Sequence, residues 1–236
     1  MEFAVLGWPD DESTLRLDYR QFSYAGKFVT GNGIAVIRGE APVDLDSGGV
    51  DESPALPERV DPSEFANGVL AAVAFNVDRT DAETLWLRYL TVRRDLRGSG
   101  RELGPRLAAF ITNRAAEQGY KRARIAVNNA FSYHALYKAG FASTGRETGI
   151  AELILERPTA EPATRRTSTY QAGLDTFGDR TELSDVEKAF IKEYSDAAPP
   201  DLVDAVDASD QAGTVDAAEE NRPVDSGVSN PRRSSE

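Results

Sequence analysis

The stretch Leu90-Thr91-Val92-Arg93-Arg94-Asp95-Leu96-Arg97-Gly98-Ser99-Gly100 decides the fold, because it leads from an apolar run of strand length through a basic, glycine-containing loop into a helical pattern. Such a loop exposes backbone N–H groups. At a helix N-terminus, where four amides lack partners and the dipole is positive, those groups make a site for a pyrophosphate. Arg93, Arg94, Arg97 and Arg101 add positive charge to it. Read alone, the loop fits two other arrangements: a plain turn with a solvated arginine face, or a dinucleotide fingerprint built on Gly98, Gly100 and Gly104. The fingerprint wants its first glycine directly after the strand and an acidic residue at the end of the next strand. Here Arg93 to Arg97 intervene and the next strand ends in Val127-Asn128-Asn129.

Upstream, the continuous apolar run Val69-Leu70-Ala71-Ala72-Val73-Ala74-Phe75 and the bulkier run at 85–92 flank turn residues Asp78-Arg79-Thr80-Asp81, which predicts an antiparallel hairpin at the centre of a sheet. Downstream, Leu103, Leu107, Phe110, Ile111 and Ala115 recur at helical spacing and Gly119 stands where the helix stops. Pro105 suits a first helical turn and not a deeper one, so this helix starts near residues 102–104. A buried strand is expected at 123–127, a short helix at 132–139 closed by Gly140, and a final strand at 152–156. Alternating stretches at 3–6, 14–19, 22–29 and 34–37 read as further strands. The order of elements defines an α/β domain over 1–158, interrupted by an exposed loop at 39–63 rich in Pro, Gly, Asp and Glu. A C-terminal extension at 159–195 carries one helix, opened by the capping pattern Ser184-Asp185-Val186-Glu187. The stretch 196–236, almost without aromatics, is expected to be a disordered acidic tail.

Composition narrows the function. Lys+Arg number 27 against 39 Asp+Glu, a formal charge of -12, so broad attraction to nucleic acid or to an anionic membrane is not expected. The scarcity of lysine beside arginine and the spread of carboxylates point to a high-salt cytosol, and the expected localisation is cytoplasmic. No cysteine is present and His134 is the single histidine, which leaves no thiolate chemistry and no His-rich metal site. The N-terminal residues lack a basic start and a long apolar run, so no signal peptide is expected.

At this point the sequence resembles the GNAT superfamily of N-acetyltransferases. Arg97-Gly98-Ser99-Gly100 resembles the family's phosphate loop, and Arg101-Glu102 stand as a two-residue insertion before Leu103-Gly104-Pro105 resumes the family helix. The segment from Asn128 to Phe141, NNAFSYHALYKAGF, resembles the family block ending in Leu-Tyr, three residues, Gly-Phe. The resemblance implies a mixed, largely antiparallel sheet flanked by helices, with a splayed strand pair that holds CoA. It implies acetyl-CoA as cosubstrate, with Leu90, Val92, Arg97, Gly98, Ser99, Gly100, Arg101, Leu103, Gly104 and Asn129 binding it. Tyr137 would protonate the leaving thiolate as general acid. The acceptor would be a small-molecule or peptide amine, and a homodimer is allowed.

The general base stays open among Asp81, Glu83, His134 and a water relay. Trp8, Phe22, Tyr24, Trp86 and Tyr89 line an acceptor cleft or fill the core. Asn129 binds the pantetheine arm or caps the following helix. A non-catalytic acyl-CoA-binding module is the competing function. A third reading gives the acidic tail an interaction role and the core a structural one.

Overall fold

A computed structural model describes residues 1–40 and 60–204. Its sheet has seven strands among the described residues: β1 (Glu2–Gly7), β2 (Gly33–Arg38), β3 (Val69–Val77), β4 (Thr84–Val92), β5 (Arg122–Val127), β6 (Ala142–Glu147) and β7 (Leu153–Pro158), in the order β1-β2-β3-β4-β5-β7-β6. Every neighbouring pair is antiparallel except β4 and β5. A parallel pair needs a crossover, and helix α1 (Leu103–Glu117) supplies it. The predicted central hairpin is β3–β4.

Strand β3 is apolar and buried from Val69 to Phe75 because both of its faces are covered there. Ala71, Val73 and Phe75 pack in the cluster that receives Leu103, Leu107, Phe110, Ile111 and Ala115 of α1, while Val69, Ala72 and Ala74 belong to a second cluster on the other face. That second face corrects the reading of the N-terminal segment. Residues 14–19 and 22–29 form no strand; their backbone makes isolated bonds, such as the Leu15 N–H to the Phe28 carbonyl, and only a short 3-10 turn at Ala25–Lys27. Leu15, Leu17, Phe22 and Phe28 are buried against Ile34, Val36 and Ala74. Their alternation records one-sided burial over a sheet, without an edge for them to pair with.

Strand β6 is an element the sequence reading missed. Its residues Ala142-Ser143-Thr144-Gly145-Arg146-Glu147 are half-exposed or exposed, as an edge strand permits. The strand expected last, β7, therefore lies inside the sheet between β5 and β6.

Helix α2 (Ala130–Lys138) follows β5 and is capped by the Asn129 side chain, which accepts the Ser132 N–H at 2.8 Å. The C-terminal extension holds two helices, α3 (Thr167–Gly178) and α4 (Asp185–Glu193). The second has the expected capping box at Ser184 and Glu187; the first carries a weak apolar pattern and was not foreseen. Both pack on α2. Beyond them the chain stays attached: Arg165 donates to the Pro200 carbonyl, Val203 N–H to the Lys138 carbonyl and Asp196 N–H to the Gln171 side chain. The disordered stretch expected from 196 is thus anchored as far as 204, because its backbone has partners on α2 and α3. The greater part of the expected loop, 41–59, and the tail beyond 204 lie outside the described residues. No helix among the described residues is long and apolar enough to cross a membrane.

The docking of α3 on α2 depends on a close approach at Gly173, where an added Cβ would stand 2.1 Å from the Tyr133 hydroxyl oxygen. Gly173→Ala should destabilise the protein by about 1–3 kcal/mol, an ordinary overpacking cost. Urea unfolding of wild type and variant measures it; equal midpoints would show that α3 does not pack here in solution.

Candidate active site

The β4–β5 ladder is short. It pairs Thr84 with Arg122 through Leu87 with Ile125 and then ends, although β4 continues to Val92 and β5 to Val127. On its other edge β4 pairs with β3, and Arg88 is the extra residue of a bulge, since Ala74 faces Tyr89 and Phe75 faces Leu87. A bulge bends its strand and increases the local twist, so the bulge and the divergence of β4 from β5 coincide. The Arg93 N–H bonds to Leu70 on β3. By strand alternation, the backbone groups of Leu90 and Val92 therefore face the gap. The gap opens into a cavity of about 1090 Å³ bounded by β4, the loop after it, the first turn of α1, the end of β5, α2 and α4.

The loop is shaped to present its amides. Gly98 and Gly100 adopt φ of 71° and 75°, a region in which side chains are strained, and space is open where each Cβ would stand. The Leu103 and Gly104 amides sit in the first turn of α1, Pro105 has no N–H to satisfy, and the Arg106 N–H makes the first helical bond, to the Glu102 carbonyl. Leu90, Val92, Arg97, Gly98, Ser99, Gly100, Leu103, Gly104 and Asn129 all line the cavity. Arg101 does not. The Asn129 side chain is spent on capping α2 and on Asn128.

The arginines serve the loop more than the cavity. Arg97 donates from Nε to the Val92 carbonyl at 3.0 Å and from Nη2 to the Ser23 hydroxyl at 3.0 Å, and Arg93 pairs with Asp95 at 2.7 Å. Glu102, in the inserted pair, is held in the left-handed region with φ 53° and pairs with Lys138 of α2 at 2.6 Å. The carboxylate that would repel a diphosphate is thus neutralised. These groups fit a phosphate-bearing acyl carrier: free amides at a helix start, an unpaired strand edge, and the buried Thr91 hydroxyl, which lines the cavity without a hydrogen-bond partner.

Tyr137 is displaced from its expected role. It is fully buried, lies outside the cavity, and its hydroxyl accepts the Ser143 N–H at 3.0 Å and the Tyr133 hydroxyl at 3.2 Å. The cause is one residue of spacing. Only Lys138 and Ala139 separate Tyr137 from Gly140, so the residue with three others between it and the glycine is Leu136, and Leu136 does line the cavity. A shift of one residue turns a helical side chain by about 100°.

His134 lines the cavity and its Nδ1 lies 2.7 Å from the Tyr170 hydroxyl. Burial first, and then the Lys138 ammonium, push it down to about 4, against a smaller opposing pull from Glu102. Burial likewise raises Tyr170, so its hydroxyl keeps its proton. The imidazole is neutral at ordinary pH. Asp81 and Glu83 lie at the far end of β4, where the Asp81 carboxylate accepts the Glu83 N–H and the Thr84 hydroxyl; neither residue reaches the cavity. The carboxylates that do are Glu102, Glu187 of the α4 cap, and Glu152, whose side chain accepts the Thr148 hydroxyl. Of the five aromatic residues, Tyr24 and Tyr89 line the cavity, while Trp8 packs on Phe75 and Tyr120, Phe22 is buried in the second cluster, and Trp86 lies against Arg88 and Arg124. Arg88, Leu136, Glu152, Phe190 and Tyr194 are cavity residues the sequence reading did not assign. For Arg88 a signal existed: a charged residue inside an otherwise apolar strand run.

No protein-family model matches this sequence, and no curated protein is significantly similar to it. Among solved structures, nourseothricin acetyltransferase is 22% identical with a TM-score of 0.35, over 40% of this chain and 61% of that one. The PaiA N-acetyltransferase of Thermoplasma acidophilum, in complex with coenzyme A, is 18% identical with a TM-score of 0.33, over 40% and 57%. An N-acetyltransferase of Staphylococcus aureus Mu50 is 16% identical with a TM-score of 0.37, over 54% and 68%. The chain spans less than two thirds of the first two proteins. Its own mixed sheet, the β4–α1–β5 crossover and the splay after Leu87 give the largely antiparallel sheet with a splayed strand pair that the sequence implied.

Tyr137→Phe should leave turnover within about twofold of wild type and lower stability by about 1 kcal/mol, the worth of one buried hydrogen bond; loss of turnover without loss of stability would return the residue to the chemistry. Because His134 sits below its ordinary value of 6.5 in the folded chain, the stability tied to its neutral form is complete above that pH and is lost as pH falls toward 4. The ceiling is about 3 kcal/mol. Unfolding free energies at pH 7.5 and 4.5 for wild type and His134→Gln isolate this share, and equal pH dependences would contradict it.

Proposed function

We propose that this chain is an acyl-CoA-dependent N-acetyltransferase that moves an acetyl group from acetyl-CoA to a primary amine by direct attack. The observation that carries the reading is the free edge of β4, with Leu90 and Val92 facing a cavity whose mouth is the N-terminus of α1. The pantetheine arm carries amides along its length and can add to such an edge as a further strand would. The Val92 carbonyl is already taken by Arg97, which leaves the backbone groups of Leu90 and the Val92 N–H for the arm and the thioester. The diphosphate would lie on the amides of Gly98 to Gly104, where the helix dipole favours negative charge.

In the reaction the amine lone pair attacks the thioester carbonyl carbon, the C–N bond forms, the C–S bond breaks, and the proton lost by nitrogen ends on the CoA sulfur. A β4 backbone N–H aimed at the developing oxyanion would contribute about 3 kcal/mol. Glu152, a carboxylate on the cavity wall, would draw the acceptor ammonium in and take a proton from it before the attack. Tyr137 has no part in this scheme.

A non-catalytic acyl-CoA-binding module is favoured by one observation, the leucine at position 136 where an acid would face the cavity. Titration calorimetry with acetyl-CoA and thiol release with an amine panel, both at high salt, separate the two readings. Binding with release supports the enzyme; binding without release from any amine supports the module; no binding defeats both. Gly100→Leu places a side chain in the cradle at a strained φ and should weaken acetyl-CoA binding at least about tenfold, roughly the loss of one charge-assisted contact, and unchanged affinity would remove the loop from the site.

A further inference from the structure

We infer that Arg88 is the anchor for a carboxylate on the acceptor, so that the substrate of this site is an amino acid or another amine that carries an acid group. The inference rests on the proposed acetyl transfer and adds the acceptor class to it.

Arg88 is the bulged residue of β4, at the point where β4 and β5 part, and it lines the cavity. Two neighbours hold its side chain. Its Nε donates to the Asn76 side-chain oxygen at 2.8 Å, its guanidinium lies 4.3 Å from the centre of the Trp86 ring, and that ring is flanked by Arg124 at 5.2 Å. With Nε bound to Asn76, the Nη edge stays available, and a guanidinium edge is matched to a planar carboxylate.

Two other arginines of this region, Arg124 and Arg146, already have counter-ions. Arg124 pairs with Asp78 at 2.6 Å and with Glu156 at 2.7 Å, and Arg146 also reaches Glu156. Among the described residues no carboxylate is within ion-pair distance of Arg88. Partial burial lowers its pKa, with Asp78 as the main opposing influence. A half-buried guanidinium in so acidic a chain, paired with none of the carboxylates that line the cavity, is completed by an acid from outside.

The phosphates of the acyl carrier do not answer this description. Their amides lie after Val92, and at about 3.3 Å per strand residue Arg88 is roughly 13 Å back along β4 from that end. Glu152 faces the same cavity from the start of β7, so a molecule with both an ammonium and a carboxylate meets a group of opposite charge for each. The carboxylate is held and not transformed. The bonds made and broken remain the C–N and C–S bonds of the acetyl transfer.

The test measures thiol release from acetyl-CoA with the common amino acids, each compared with its carboxamide. At least one free acid should be turned over with kcat/KM about tenfold to a hundredfold above its amide, the range of one charge-assisted pair. Arg88→Gln should bring that ratio to within about twofold of unity, through KM more than kcat, and Arg88→Lys should restore part of it. Calorimetric binding of acetyl-CoA by each variant shows that it is folded. Equal turnover of acids and amides by the wild type, a ratio untouched by Arg88→Gln, or acetyl-CoA bound with no acid turned over would each overturn the inference. Failure to bind acetyl-CoA at all would instead defeat the acyl-CoA reading beneath it.

Discussion

The parallel ladder between β4 and β5 stops after Leu87 and Ile125, and the rest of the site depends on that ending. Unpaired backbone groups inside a protein are costly unless something takes them. The bulge at Arg88 turns β4 away, α1 starts in the space released, and the Arg97 side chain satisfies the Val92 carbonyl on the gap side. What is left is a strand edge that a ligand can complete. The bulge also places Arg88, so the residue that opens the gap is also the residue that faces it.

Charge is distributed with the same economy. The chain is acidic, and most arginines around the site are engaged in holding it together: Arg93 on Asp95, Arg97 on a carbonyl and a hydroxyl, Arg124 between Asp78 and Glu156. Glu102 stands where an anion would bind and is neutralised by Lys138, a residue on a different helix. Anion binding at this loop would therefore rest on backbone amides, which do not titrate, more than on the row of arginines.

The C-terminal extension is part of the site's architecture. Tyr133, Tyr137 and Tyr170 pack ring to ring, with centroids 4.8 to 5.7 Å apart, so the tyrosines of α2 are bound into the contact with α3. On the adjoining side of α2, Phe131 and His134 meet Phe190 and Tyr194 and carry the extension to the cavity wall. The Tyr137 hydroxyl, on the side of α2 turned to α3, holds the Ser143 N–H of β6.

From the sequence by itself, the hairpin β3–β4, the amphipathic α1 with Pro105 in its first turn and its stop near Gly119, β5, the Asn129 cap and the α4 capping box were legible, because each rests on local periodicity or on side chains a few residues apart. The shape of the glycine loop was legible for the same reason, since positive φ is a local property of Gly98 and Gly100. Only the tertiary structure decided which face a side chain meets. Residues 14–29 alternate as strands do and cover a sheet instead; polar β6 exists because β7 offers it an edge; and Tyr137 and Leu136, neighbours in the chain, part to the core and to the cavity because α3 occupies one side of α2. Arg88 is the same lesson in reverse: a charge in an apolar strand was visible at once, but its direction follows from a bulge against β3 and a ladder that ends at β5, both of them contacts between segments distant in sequence.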